Sequence, residues 1–166
     1  RKVVVGEQGE APYDKLIVAT GSAPFIIPLP GHDLPGVVAY RDLEDTNAMI
    51  AASARPGAKA VVIGGGLLGL EAAAGLRLRG MDVTVLHLMG HLMERQLDEA
   101  AGYLLKKDLE KRGIEVLLKA STKAIEGDTA RIPFFRSAFV NAAAMPCSQI
   151  LARLIRLLVV GEVLTL

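Results

Sequence analysis

Ala60-Val61-Val62-Ile63-Gly64-Gly65-Gly66-Leu67-Leu68-Gly69-Leu70-Glu71 is the stretch that decides how this chain folds. Its first four residues are apolar and mostly β-branched, the composition of a short buried strand. Three glycines stop that strand at once. Leu67 to Arg79 then reads as a helix rich in Leu and Ala, closed by Gly80. A strand that turns straight into a helix needs a parallel partner to follow. Val83 to Leu88 supplies one as a second buried strand. Asp98 then caps a helix that runs to Arg112, with Glu99 in its first turn, Lys111 and Arg112 in its last, and Gly113 beyond. Ile114 to Leu118 is a third strand. The order predicts an α/β fold, a Rossmann-like βαβαβ unit with a parallel sheet.

The spacing Gly64-x-Gly66-x-x-Gly69 at the strand-to-helix turn is the fingerprint of a dinucleotide site. The first glycine permits the tight turn, the second lets backbone approach a pyrophosphate, and the third lets helix and strand pack closely. Free N–H groups at the helix start then meet the phosphate charge. Gly64, Gly65, Gly66, Leu67, Leu68 and Gly69 are the candidate binding residues. About twenty residues further on, an acid usually holds the adenosine ribose. Here the strand end reads Val85-Leu86-His87-Leu88. His87 can hydrogen-bond a hydroxyl when neutral, meet a 2′-phosphate when protonated, or simply be a half-buried strand-end residue. NADH and NADPH are therefore not separated. Glu71 either complements the helix dipole or lies near the nicotinamide end. Arg95 and Arg41 are phosphate or ribose contacts, or solvated surface residues. His87 and His91 straddle a strand end and Gly90, so they do not make a metal site. No residue is assigned a catalytic role.

The 166 residues are 51% hydrophobic and 22% charged, with a formal net charge of +1. That composition excludes a disordered or fibrous chain and suits one domain plus pieces of a second. It carries no basic surplus for nucleic acid. No apolar run approaches the roughly 20 residues of a membrane span. Cys147 stands alone, which excludes a disulfide framework and a cysteine zinc site, and fits an inert thiol in a reducing, cytoplasmic setting. The start, Arg1-Lys2-Val3-Val4-Val5-Gly6, is neither a signal peptide nor an initiator methionine, so the chain is expected to begin inside a longer protein. Val3–Val5 and Leu16–Ala19 predict two strands joined by a hairpin-like connection. Pro24, Pro28, Pro30 and Pro35 make residues 23–36 a loop. Leu43 to Ala54 is a helix, stopped by Pro56-Gly57. Residues 129–166 hold four arginines, no lysine and one acid, Glu162, so the composition breaks near Asp128. Beyond the break Arg131 to Asn141 shows no clear period, and residues 148–159 are expected to be helical.

Tyr13-Asp14-Lys15-Leu16-Ile17-Val18-Ala19-Thr20-Gly21-Ser22 resembles the Ala-Thr-Gly segment of the two-dinucleotide flavoproteins of the pyridine nucleotide-disulfide oxidoreductase-like superfamily. Tyr40 to Thr46 is similar to the crossover that follows it, and Gly64 to Glu71 to that superfamily's NAD(P)H fingerprint. Val83 to Met89 with Leu92-Met93-Glu94-Arg95-Gln96-Leu97-Asp98 resembles the large subunits of assimilatory NAD(P)H nitrite reductases. The likeness covers residues 10–128 and implies three parts. Residues 1–40 would be a segment of a split FAD-binding domain, with Ala19, Thr20 and Gly21 at the flavin. Residues 41–128 would be the NAD(P)-binding domain, and 129–166 a tail unlike the family, suited to a shifted reading frame or a gene remnant. The implied activity is hydride transfer from NAD(P)H to FAD, with electrons passed to a downstream acceptor. In a nitrite-reducing parent a sirohaem and a 4Fe-4S cluster would lie outside this chain, and the isolated piece would be inactive. A rubredoxin or ferredoxin reductase-like diaphorase and a non-catalytic nucleotide-binding fragment are the alternatives.

Overall fold

The structure, a computed structural model, describes residues 3–7, 9–128, 134–142 and 157–160. In chain order the elements are β1 (Val3–Gly6), β2 (Gly9–Pro12), β3 (Val37–Ala39), α1 (Leu43–Ser53), β4 (Lys59–Ile63) and α2 (Leu67–Leu78). There follow β5 (Asp82–His87), α3 (Glu99–Lys111), β6 (Ile114–Leu118), β7 (Ala120–Asp128), β8 (Phe134–Ala142) and β9 (Leu157–Val160). The five-stranded central sheet has the order β3-β9-β4-β5-β6, and each of its pairs is parallel. The β4-α2-β5-α3-β6 unit is the one the glycine-rich stretch predicts.

Strand β4 is apolar after Lys59 because both of its faces are covered, as in parallel sheets generally. Ala60 and Val62 pack with Leu70, Ala73, Leu76, Val83, Val85 and Ile114 on the helical side. Val61 and Ile63 join Leu86, Ala120 and Ile125 on the other, where Ile27 and Leu34 of the proline-rich loop close the layer. Val62, Ala73 and Val85 are fully buried. Fully burying one such aliphatic side chain contributes about 1.5–3 kcal/mol, so this double-faced packing is the main source of the sheet's stability. The loop is tied to β7 by the Ile125 N–H, which donates to the Pro30 carbonyl at 2.8 Å.

Helix α1 buries only Met49, so its ends matter more than its faces. Its start is a reciprocal capping box: the Asp45 N–H donates to Asp42 Oδ1 at 2.9 Å, and the Asp42 N–H to Asp45 Oδ2 at 3.4 Å. Asp98 caps α3 through the Ala101 N–H at 2.8 Å, as its sequence position predicts. Arg77 of α2 donates to the Arg112 carbonyl at 3.1 Å and to the Met81 carbonyl at 3.3 Å, pinning three element ends together.

Two expectations are corrected, and a stretch without a period is given its structure. Strand β1 pairs antiparallel with β2, Gly6 opposite Gly9, and not with Leu16–Ala19. A reversal of two residues closes more readily than a longer loop, and Leu16–Ala19 has no strand beside it among the described residues. Ile17 and Val18 are consequently 89% and 74% exposed. The helix expected at 148–159 fails at its end, since Leu157–Val160 is strand, parallel to β3 on one side and β4 on the other. The β-branched pair Val159-Val160 suits that central slot. Residues 148–156 of that expectation lie outside the described residues. Finally, the unpatterned stretch after Asp128 contains a strand, β8, antiparallel to β7. Register shifts between Thr122 and Ile125 and between Glu126 and Gly127 break the two-residue alternation by which such strands are recognised.

Candidate nucleotide-binding site

The glycines between β4 and α2 have different tasks. Gly64 has φ of +116°, a conformation that favours glycine, and its N–H donates to the Leu86 carbonyl at 2.9 Å. The chain thereby leaves β4 while still held to β5. A side chain at Gly69 would run into the Gly64 carbonyl oxygen, so α2 lies directly on the turn. A Cβ at Gly65 would stand 2.6 Å from Leu92 Cδ2 and 2.7 Å from His87 Cγ. Gly66 differs from all three. It is the N-cap of α2, no side chain caps it, and nothing lies within 4 Å of a Cβ built there. The first backbone N–H groups of a helix have no partner within the helix. Here they face open space over Gly66, with the positive end of the α2 dipole behind them. An uncapped helix start of this kind suits an anion.

His87 is 4% exposed, at the carboxyl end of β5. The Gly65 N–H donates to its Nδ1 at 3.0 Å. The ring proton therefore sits on Nε2, which lies 3.0 Å from Glu94 Oε2 and 3.0 Å from the His91 carbonyl. Both ring nitrogens are taken up within the protein. With both nitrogens so engaged, neither is free here for a ribose hydroxyl or a 2′-phosphate. The residue positions the glycine turn instead. The segment after β5 completes that hold, since the Met93 N–H donates to the Gly65 carbonyl at 3.0 Å and Leu92 is fully buried against it. The Gly65 peptide is thus bonded on both sides.

Glu71 does not stand on the glycine turn. It shares an open cavity of about 360 Å³ with Tyr40, Arg41, Thr46 and Leu68, between the first turns of α1 and α2. The structure thus brings Glu71 and Leu68 together with Arg41 there. Arg95 is exposed and makes no hydrogen bond or ion pair among the described residues. Ala19, Thr20 and Gly21 lie in an exposed segment without regular structure, and no hydrogen bond joins them to the glycine turn. Glu94 was not singled out by the sequence. It lies seven residues past His87, where spacing alone gives no reason to look for an acid. Among the described residues no cluster of His, Cys, Asp and Glu could hold a metal ion, and no helix is long and apolar enough to cross a membrane.

The profile of the family described as pyridine nucleotide-disulphide oxidoreductase matches residues 1–142. The chain belongs to that family. Pyridine nucleotide-disulphide oxidoreductases bind FAD and NAD(P)H, and the match extends beyond the composition break, through β8. The chain is 61% identical over 117 residues to a nitrite reductase [NAD(P)H] of Bacillus subtilis, covering 70% of this chain and 14% of that protein. It is 47% identical over 129 residues to an assimilatory nitrate reductase electron transfer subunit of the same organism, covering 78% of this chain and 17% of that one. It therefore spans between about a seventh and a sixth of the length of these relatives. Among solved structures, a NAD-dependent persulfide reductase from A. fulgidus superposes with a TM-score of 0.74 at 27% identity, covering 95% of this chain and 28% of that one. A ferredoxin reductase from Rhodopseudomonas palustris shares the fold with a TM-score of 0.78 at 22% identity, covering 97% and 37%.

Proposed function

We propose that residues 41–128 form most of the NAD(P)H-binding domain of a flavin-dependent oxidoreductase, and that the whole protein reduces nitrite to ammonia. The observation that carries the reading is the uncapped start of α2 beneath the open space at Gly66. Gly64 and Gly65 shape the turn. The backbone of Gly66, Leu67, Leu68 and Gly69 receives the pyrophosphate, with no side-chain charge required. The α1–α2 cavity takes the nicotinamide end, where Glu71 and Arg41 orient the ring and its ribose. When bound, NAD(P)H would supply a hydride to FAD, and the part of these residues would be to hold and align the dinucleotide.

Ala19, Thr20 and Gly21 belong at the flavin. Leu16, Ile17, Val18 and Phe25 stand exposed beside that segment, an apolar surface that supports this reading. The rest of a FAD domain covers them. A downstream acceptor, with sirohaem and a 4Fe-4S cluster, belongs to other parts of the protein, which works in the cytoplasm. Identity to the Bacillus subtilis nitrite reductase favours this acceptor over a ferredoxin-type one.

The test is an exchange. Residues 10–128 replace the matching segment of the Bacillus subtilis nitrite reductase, and nitrite-dependent NADH oxidation is followed. Retained oxidation with ammonia as product is expected. A chimera that folds and holds flavin yet does not oxidise NADH would overturn the reading.

A further inference from the structure

We propose that Glu94 is the acid that recognises the adenosine ribose, and that it selects NADH over NADPH. The inference rests on the nucleotide-binding reading above and names the ligand that the same site prefers. In a glycine-rich βαβ unit the ribose 2′-hydroxyl is held by an acid at the end of the second strand. Here that strand is β5, and its last residue, His87, has neither nitrogen free. What the ring does instead is carry the position outward. One edge binds the Gly65 N–H, and the opposite edge fixes a carboxylate, Glu94 Oε2, at 3.0 Å. The acid is thereby set on the glycine turn through one intervening imidazole.

Two further features favour Glu94 as a ligand-facing group. Its side chain is 28% exposed while its anchor is 4% exposed, so one end is fixed and the other meets solvent. Its second oxygen, Oε1, accepts no hydrogen bond among the described residues, which leaves an acceptor for a sugar hydroxyl. The backbone that carries it is also constrained. Met93 holds φ of +52°, unusual for a residue with a side chain, while its N–H reaches the Gly65 carbonyl and its own carbonyl accepts from Gln96 and Leu97 at 2.8 Å. A carboxylate so held accepts from a 2′-hydroxyl and repels a 2′-phosphate. Arg95, the neighbouring cation, would favour the phosphate, but it is exposed and nothing anchors it.

The experiment is titration of the chain, and of its Glu94→Gln and Glu94→Ala variants, with NADH and with NADPH, followed by the fluorescence of the reduced nicotinamide. The readout is the ratio of the two Kd values, which a general loss of structure does not move. The unaltered chain is expected to bind NADH about tenfold or more tightly than NADPH. Glu94→Gln is expected to weaken NADH and strengthen NADPH, moving that ratio by about tenfold, and Glu94→Ala to move it in the same direction. A ratio that stays put in both variants, or a preference of the unaltered chain for NADPH, would overturn the role of Glu94 and leave the nucleotide-binding reading standing. Absence of binding of either dinucleotide by the unaltered chain would overturn both.

Discussion

Two residues at the glycine turn tolerate little change, for different reasons, and each gives a prediction. Gly69 faces the Gly64 carbonyl, which is backbone and cannot swing aside. Gly69→Ala should cost about 1–3 kcal/mol as overpacking, read as a fall of several degrees in Tm by calorimetry. An unchanged Tm would mean that α2 does not lie on the turn as described. His87 is buried, and its loss strands the Gly65 N–H without an acceptor. His87→Ala should cost about 2–4 kcal/mol, from the unpaired donor and the vacated volume together. Urea unfolding measures it, and a cost below about 0.5 kcal/mol, the range of an ordinary surface change, would contradict the geometry. The position of His87 was legible in the sequence as the strand end twenty-one residues past Gly66. Its task was not, because a ribose contact and a support for the turn use the same nitrogen atoms. Only the partners of Nδ1 and Nε2 distinguish them.

At the scale of the elements, the strands and helices from β4 to β6 were legible because each carries its own punctuation: glycines at the turns, Asp98 before α3, a β-branched run in each strand. Helix α1 was legible by composition, yet its stability rests on the Asp42–Asp45 box rather than on burial. Asp42→Ala should lower stability by about 1 kcal/mol, measured by chemical unfolding. A neutral result would show that packing, not capping, holds α1. On α3, Glu110 accepts from Lys106 at 2.6 Å and from Lys107 at 3.3 Å. The Lys106 hydrogen bond leads in holding its carboxyl below the usual carboxylate range. A carboxyl lowered in the folded state contributes stability above its unfolded pKa, and that contribution disappears as pH falls through the folded value. The group is on the surface, so the contribution is about 0.3–0.5 kcal/mol. Glu110→Gln should be less stable than the parent by that amount at pH 7, and the gap should close in acid. A gap that persists below both pKa values would assign it to something other than charge. The strands that escaped notice have physical reasons too. The β7–β8 pair is bulged and so loses its alternation, and β9 is recognisable only by the vacancy it fills between β3 and β4.

For the whole molecule, the sheet order explains why local signals found the site before they found the sheet. The β4-α2-β5 unit that makes the site is contiguous in sequence, whereas the central sheet draws β3 from before it and β9 from far after it. Leu16–Ala19 misled for the complementary reason. Its apolar run suits a strand, but a strand needs a neighbour, and Ile17 and Val18 meet none among the described residues. That exposure is what a further flavin-domain surface would cover in the proposed assembly. The site and the sheet meet at one point, the uncapped start of α2 at the carboxyl edge of β4. Calorimetric titration with NADH of the chain and of its Gly66→Val variant tests nucleotide binding there most directly. The open space at Gly66 admits the valine without disturbing the fold, yet fills the place of the pyrophosphate. Saturable binding by the chain, abolished in a variant that stays folded with Tm lowered by no more than a few degrees, is the predicted result. A folded chain that binds no NADH, or a valine variant that binds it equally well, would contradict the account.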